Sequence, residues 1–163
     1  MFWKRREEPS PLPKVAVCYA DSAVTRRAAD WLAQLNLCKP IAILADTPKD
    51  ALWLCQREEP SLLVLEAMPD AMERLDDPSR DITGCCELSA QVKEQLPTCR
   101  VCLVCDARFH DYEPTLEKAV ETGLIDGYRI GRLARLHIET WLAAPPTQTA
   151  ISGKPPQSLS KNG

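Results

Sequence analysis

Four short apolar runs in this chain each lead into a carboxylate. Val15–Tyr19 is followed by Asp21, Ile41–Ala45 by Asp46, Leu62–Leu65 by Glu66, and Val101–Cys105 by Asp106. Carboxylates gathered in one pocket repel one another unless they hold a cation or raise one another's pKa. Such a group suits a divalent cation or a phosphoryl transfer. The runs are too short for stable helices and suit buried strands of a parallel sheet. In open α/β sheets the functional crevice lies beyond the C-terminal ends of the strands. The pattern therefore aims several negative charges at one place.

The other chemistry-bearing residues do not complete a second set. His110 and His137 are the only histidines. His137 falls mid-helix on a mostly polar side, and His110 is a solvated loop residue near the crevice. Cys99, Cys102 and Cys105 superficially match part of an iron–sulfur spacing. They lack a fourth ligand, and period-three positions on a strand alternate faces. Of the adjacent pair Cys85 and Cys86, one should face inward and the other solvent. The eight cysteines read as small hydrophobes and reduced thiols, which suits a cytoplasmic protein. No phosphate-binding glycine loop is present.

The elements that must position the acids alternate along the chain. After the first apolar run, Ser22 can cap a helix carrying Val24, Ala28, Trp31, Leu32 and Leu35. After the second, Thr47-Pro48-Lys49-Asp50 is a helix start with a cap, an early proline and an acid. After the third comes a long acidic loop from Met68 to Thr83 holding Asp70, Glu73, Asp76, Asp77 and Asp81. It should overhang the crevice. A third helix follows, with Cys85, Leu88, Val92 and Leu96 on one face. After the fourth run, a helix starts near Pro114 and closes at Gly123. Gly127–Ile130 is a fifth strand, and Leu133–Leu142 a last helix with Leu133, Leu136 and Thr140 inward. Five strands alternating with five helices imply an α/β, doubly wound, five-stranded parallel sheet with helices on both faces. The flavodoxin-like order 2-1-3-4-5 is expected at this size.

The chain has 163 residues and a net charge of −3. It reads as one domain over 14–143 with a flexible tail over 1–13 and a disordered, Pro- and Ser-rich tail over 144–163. No strongly basic face favours nucleic acid. No apolar stretch approaches the ~18 residues of a membrane span.

With these elements in order, the chain resembles the receiver domain of two-component response regulators, over roughly 14–143. Ala20-Asp21-Ser22-Ala23-Val24-Thr25-Arg26-Arg27 is similar to the receiver start, where two acids follow the first strand. Pro60-Ser61-Leu62-Leu63-Val64-Leu65-Glu66 is similar to the segment that ends in the phospho-accepting aspartate. Thr83-Gly84 resembles the opening of the third helix, and Gly123-Leu124-Ile125-Asp126-Gly127-Tyr128 resembles the turn into the fifth strand.

The resemblance also exposes departures. It implies a cation held by two acids and the acceptor, yet the first acid position is Ala20. The acceptor position is Glu66, one methylene longer than aspartate, and a misplacement of about 1 Å can cost roughly 100-fold. The hydroxyl residue ending the fourth strand is Cys105, a poor donor. Asp106 follows it, an unwelcome charge beside a phosphoryl dianion. The lysine after the fifth strand falls on Gly131, flanked by Arg129 and Arg132; either could substitute for it, although neither matches the position. The family's coupled switch would be Cys105 and Tyr128; the Tyr128 hydroxyl is expected in water.

The resemblance implies a stand-alone, degenerate receiver (a pseudo-receiver): a cytoplasmic adaptor without catalytic residues, acting by protein–protein contact rather than in a phosphorelay. Its expected interaction face joins the fourth helix, fifth strand and fifth helix through Thr115, Lys118, Glu121, Arg129, Arg132, Arg135 and Glu139. Partners would be a histidine kinase, a separate output protein or a second copy in a homodimer, with no nucleic acid and no membrane. No cofactor is expected beyond residual Mg²⁺ at Asp21, Glu66 and Asp106. Two alternatives stay open. One is a small cation-dependent enzyme or ligand-binding protein of flavodoxin-like fold. The other is an atypical receiver that is still phosphorylated.

Overall fold

The apolar runs form strands because both of their faces are covered. Residues 11–67 and 81–146 are described in the computed structural model. Most of both expected tails and most of the 68–83 loop lie outside these residues. The strands are β1 (Lys14–Cys18), β2 (Lys39–Ala42), β3 (Leu62–Glu66), β4 (Arg100–Cys105) and β5 (Gly127–Ile130). All pair in parallel, in the order β2-β1-β3-β4-β5. This is the doubly wound, flavodoxin-like arrangement expected from the sequence.

Alternate strand residues feed two core layers. Ala16, Leu63, Leu65, Val101 and Leu103 pack toward three helices, α2 (Pro48–Glu58), α3 (Ile82–Gln95) and α4 (Glu113–Glu121). Val15, Val17, Leu62, Val64 and Cys102 pack toward α1 (Ser22–Leu35) and α5 (Arg135–Ala143). Cys99 lies in the first layer and Cys102 in the second, so the thiols of that run do alternate faces.

Several boundaries differ from expectation, each for a local reason. The cap of α1 is Asp21, whose carboxylate accepts from the Val24 amide at 3.0 Å, and Ser22 is already helical. Thr47 caps α2 as its motif predicts. Asp81 is not part of an overhang: it caps α3 by accepting from the Gly84 amide at 2.7 Å. β2 ends at Ala42, so Asp46 sits beyond the strand as an exposed loop acid. Cys85 and Cys86 are both buried. α5 begins at Arg135 and turns Ile138 and Trp141 inward, leaving Leu136 66% exposed. His137 lies in the first turn, where Nδ1 accepts from the Ala134 amide.

Trp141 explains the glycine that opens β5. A Cβ on Gly127 would lie 2.7 Å from the indole Nε1 of Trp141. At the N-terminal edge of the sheet, Lys93 of α3 and Asp126 form a buried ion pair at 2.7 Å, their side chains 3% and 7% exposed. The same carboxylate accepts from the Val101 amide at 2.8 Å. One contact set therefore ties α3, β4 and the turn into β5. On the edge strand β2, the Lys39 amide donates to Pro13, and just past the strand the Ile43 amide donates to Val17. Odd-numbered amides thus face β1, and Pro40 falls between them in register with Val15.

Candidate functional site

Each carboxylate of the sequence pattern that reaches the rim meets a local N–H donor first. The turn after β1 is held by Thr25, a fully buried hydroxyl residue. The Tyr19 amide donates to the Thr25 Oγ1 at 2.9 Å, and that hydroxyl also lies 2.9 Å from the carbonyl of Asp21. The clamp presents the Ala20 amide to Glu66, whose Oε1 accepts from it at 2.8 Å. Asp21 is spent on the α1 cap. Asp106 caps a 3₁₀ turn over Ala107–Tyr112, accepting from the Arg108 amide at 2.8 Å and from its guanidinium at 3.2 Å. Those Arg108 bonds, backbone first, hold the Asp106 carboxyl below the usual carboxylate range.

The crevice itself is an open cleft of about 380 Å³ lined by Tyr19, Glu66, Cys105, Asp106, Gly131 and Arg132, among others. Glu66 and Asp106 therefore share a cleft, whereas Asp21 does not line it. Among the described residues no three His, Cys, Asp or Glu side chains are placed to hold a metal ion. The family's divalent cation needs convergent oxygens, and these residues do not fit it.

The phosphoryl-holding positions are also altered in shape. Cys105 is buried, and burial pushes its thiol up to about 11, against the hydrogen bond it takes from the Asp106 amide. Tyr19, on the cleft wall, is pushed up to about 12 by burial and then by the charge of Glu66. Gly131, where the family's lysine would fall, has φ +111 and donates its amide to Cys105 at 2.7 Å. That left-handed backbone strains any L side chain. Arg129 folds over this turn, donating to the carbonyl of Arg132 at 3.0 Å. Arg132 is the cation that reaches the cleft lining. Its position one residue past the family's lysine was visible in the sequence; its turn toward the cleft was not.

The Tyr128 hydroxyl, expected in water, has carboxylate partners on an exposed face. The hydroxyl lies 2.8 Å from Glu113 and 3.2 Å from Glu117, both on α4. Burial and these two carboxylates raise its pKa. The other switch-equivalent residue, Cys105, pairs in register with Ile130, two residues further along β5.

The expected interaction face divides in two. Thr115, Lys118 and Glu121 are exposed on α4. Arg132 and Arg135 instead turn toward α1, lining a groove with Arg27, and Arg135 donates to the carbonyl of Leu35 at 3.2 Å. Glu139 accepts from Arg135 at 2.9 Å. His110 is exposed beside Asp111 at 3.6 Å. No described helix is long and apolar enough to cross a membrane.

Comparison with known proteins places the fold. No protein-family model matches the chain, and no curated protein does. Solved structures do. A response regulator receiver domain protein from Clostridium thermocellum superposes with a TM-score of 0.57 at 10% identity, over 80% of this chain and 91% of that one. The receiver domain of AraT, a response regulator from Geobacillus stearothermophilus, gives 0.50 at 18% identity, over 81% and 91%. An adenylate cyclase from Rhodopirellula baltica gives 0.56 at 11% identity, over 80% and 84%. The chain has the receiver fold.

Proposed function

We propose that this chain is a receiver-like signalling module that works by docking to other proteins and does not accept a phosphoryl group. The observation that carries this reading is the hydrogen bond from the Ala20 amide to Glu66 at 2.8 Å. It engages the acceptor-position carboxylate as a structural brace between β3 and the β1–α1 turn. Its surroundings support the same reading. Attack on a phosphoryl donor needs an aligned nucleophile and cations on the equatorial oxygens. Here the neighbouring acid is a helix cap, the hydroxyl position is a buried thiol, and the lysine position is a glycine with φ +111, which leaves Arg132, one residue further on, as the cation of the cleft lining. A permanent carboxylate at Glu66 supplies a fixed negative charge without turnover, and no bound cation is required.

The test is incubation of the full chain with acetyl phosphate, with and without Mg²⁺, followed by intact mass. The expected result is an unmodified chain under both conditions. One phosphoryl group per chain overturns the reading, and a metal-dependent hydrolysis of the donor points to an enzyme instead.

A further inference from the structure

α3 packs chiefly against α2 and makes few contacts with α4, which leaves a gap between α3 and α4. The gap is an open groove of about 420 Å³, a size usual for small-molecule sites. Its floor is Ile82, Cys86 and Ala119, all buried, and the half-buried Leu124. Its α4 rim is Thr115, Lys118 and Thr122, all exposed. The two ends of that rim differ. Thr122 donates its hydroxyl to the carbonyl of Lys118 at 3.0 Å, so the Leu124 end offers the groove a methyl group. Lys118 is the charged residue of the lining, and among the described residues it has no ion-pair partner. Helical side chains lean toward the helix N-terminus, which carries its ammonium toward Thr115, one turn earlier. Among the described residues no carboxylate lines the groove. The recess is therefore apolar along its floor and positive toward one end.

From this polarity we infer a binding site for an unbranched aliphatic monocarboxylate, its tail on Cys86, Ala119 and Leu124 and its carboxylate on Lys118. The inference goes beyond the docking function proposed above and does not depend on it. From Thr115 to Thr122 the α4 wall runs about 10 Å at the rise of a helix. An extended chain advances about 1.2 Å per bond, so the wall matches roughly nine bonds, the length of decanoate. The apolar floor draws the tail out of water, and the lone ammonium selects the anionic head over a cationic one. Inorganic phosphate gains nothing from the floor. A partner protein fits less well, because a recess of about two helical turns is small beside the roughly 800 Å² that each side of a stable protein interface buries.

The test titrates the full chain with decanoate, hexanoate and decylammonium, each below its micelle concentration. Affinity is read by calorimetry, and the contact surface by backbone amide NMR shifts. Decanoate should bind saturably, one per chain, and shift amides at the start of α3, along α4 and at Leu124. Hexanoate, four methylenes shorter, should bind at least about tenfold more weakly. K118E, an exposed substitution whose fold is checked by circular dichroism, should weaken decanoate by at least about fivefold and reverse the preference, so that decylammonium binds it better. T115W should obstruct the groove and weaken all three. Equal wild-type affinity for decanoate and decylammonium, indifference to chain length, non-saturating uptake, or shifts confined elsewhere overturns the inference. So does a wild-type dimer that T115W dissociates, since a second copy then fills the groove. None of these outcomes involves a phosphoryl adduct, so this inference and the reading of the Glu66 crevice fail separately.

Discussion

Replacing Lys93 by methionine isolates the buried ion pair that Lys93 forms with Asp126. The substitution keeps an apolar stem of similar length and removes the ammonium. Asp126 is then left as a charge with a side chain 7% exposed, still accepting from the Val101 amide. Breaking a buried pair from one side costs about 3–5 kcal/mol, because the remaining charge stays desolvated. For a chain of this size, that is a fall in Tm of roughly 6–20 °C. Adding D126N should recover much of the loss. The amide oxygen of asparagine still accepts from Val101, and no uncompensated charge remains. Urea denaturation of the wild type, both single variants and the double variant closes the cycle. The expected coupling is at least about 1.5 kcal/mol, with the double variant more stable than K93M. If K93M costs under about 1 kcal/mol, or the two losses add, the pair does not join α3 to β4 as argued.

Three further outcomes follow from other contacts. G127A drives a Cβ to 2.7 Å from the Trp141 indole and should cost about 1–3 kcal/mol; in a W141L background most of that cost should vanish, and an equal loss in both backgrounds counts against the packing argument. Tyr19 and Tyr128 both have raised folded-state pKa values, so their contribution is intact below the unfolded phenol value of about 10 and is lost as pH rises through the folded values. Denaturation midpoints should therefore decline above about pH 10, less steeply in Y128F, and an unchanged slope would show that Tyr128 is not held by α4. E66D cannot reach the Ala20 amide and should lose no more than about 1 kcal/mol, yet remain unmodified by acetyl phosphate because Cys105 and Gly131 are unchanged; an adduct would show that acceptor length alone blocks the reaction.

The layers were legible because they depend on short-range patterning, and the strand order because alternating strands and helices with right-handed crossovers leave few doubly wound forms. Leu62–Leu65 is continuously apolar because both faces of β3 are covered, and Thr47-Pro48 carries its cap within four residues. What escaped depends on partners distant in sequence or on backbone shape. Lys93 and Asp126 lie on separate elements, and either alone reads as a solvated charge. The α5 stripe was misjudged because leucines at 133 and 136 fit the period as well as Ile138 and Trp141 do; only the space over Gly127 decides. The acids do follow the strands in sequence, but helix starts follow them too, so capping claims Asp21 and Asp106 before any shared ligand can. The positive φ at Gly131 leaves no trace in composition beyond the glycine itself.

Pro40 has a consequence for how this protein tolerates crowding. Because odd-numbered amides on β2 face inward, the donor that proline lacks is missing from the open flank of the sheet. A strand arriving from a neighbouring molecule finds a gap where its carbonyl would seek a proton, and cross-molecular zippering stalls there. Removing that gap with P40V would leave the fold's own ladder intact while inviting fibrous self-association at high concentration.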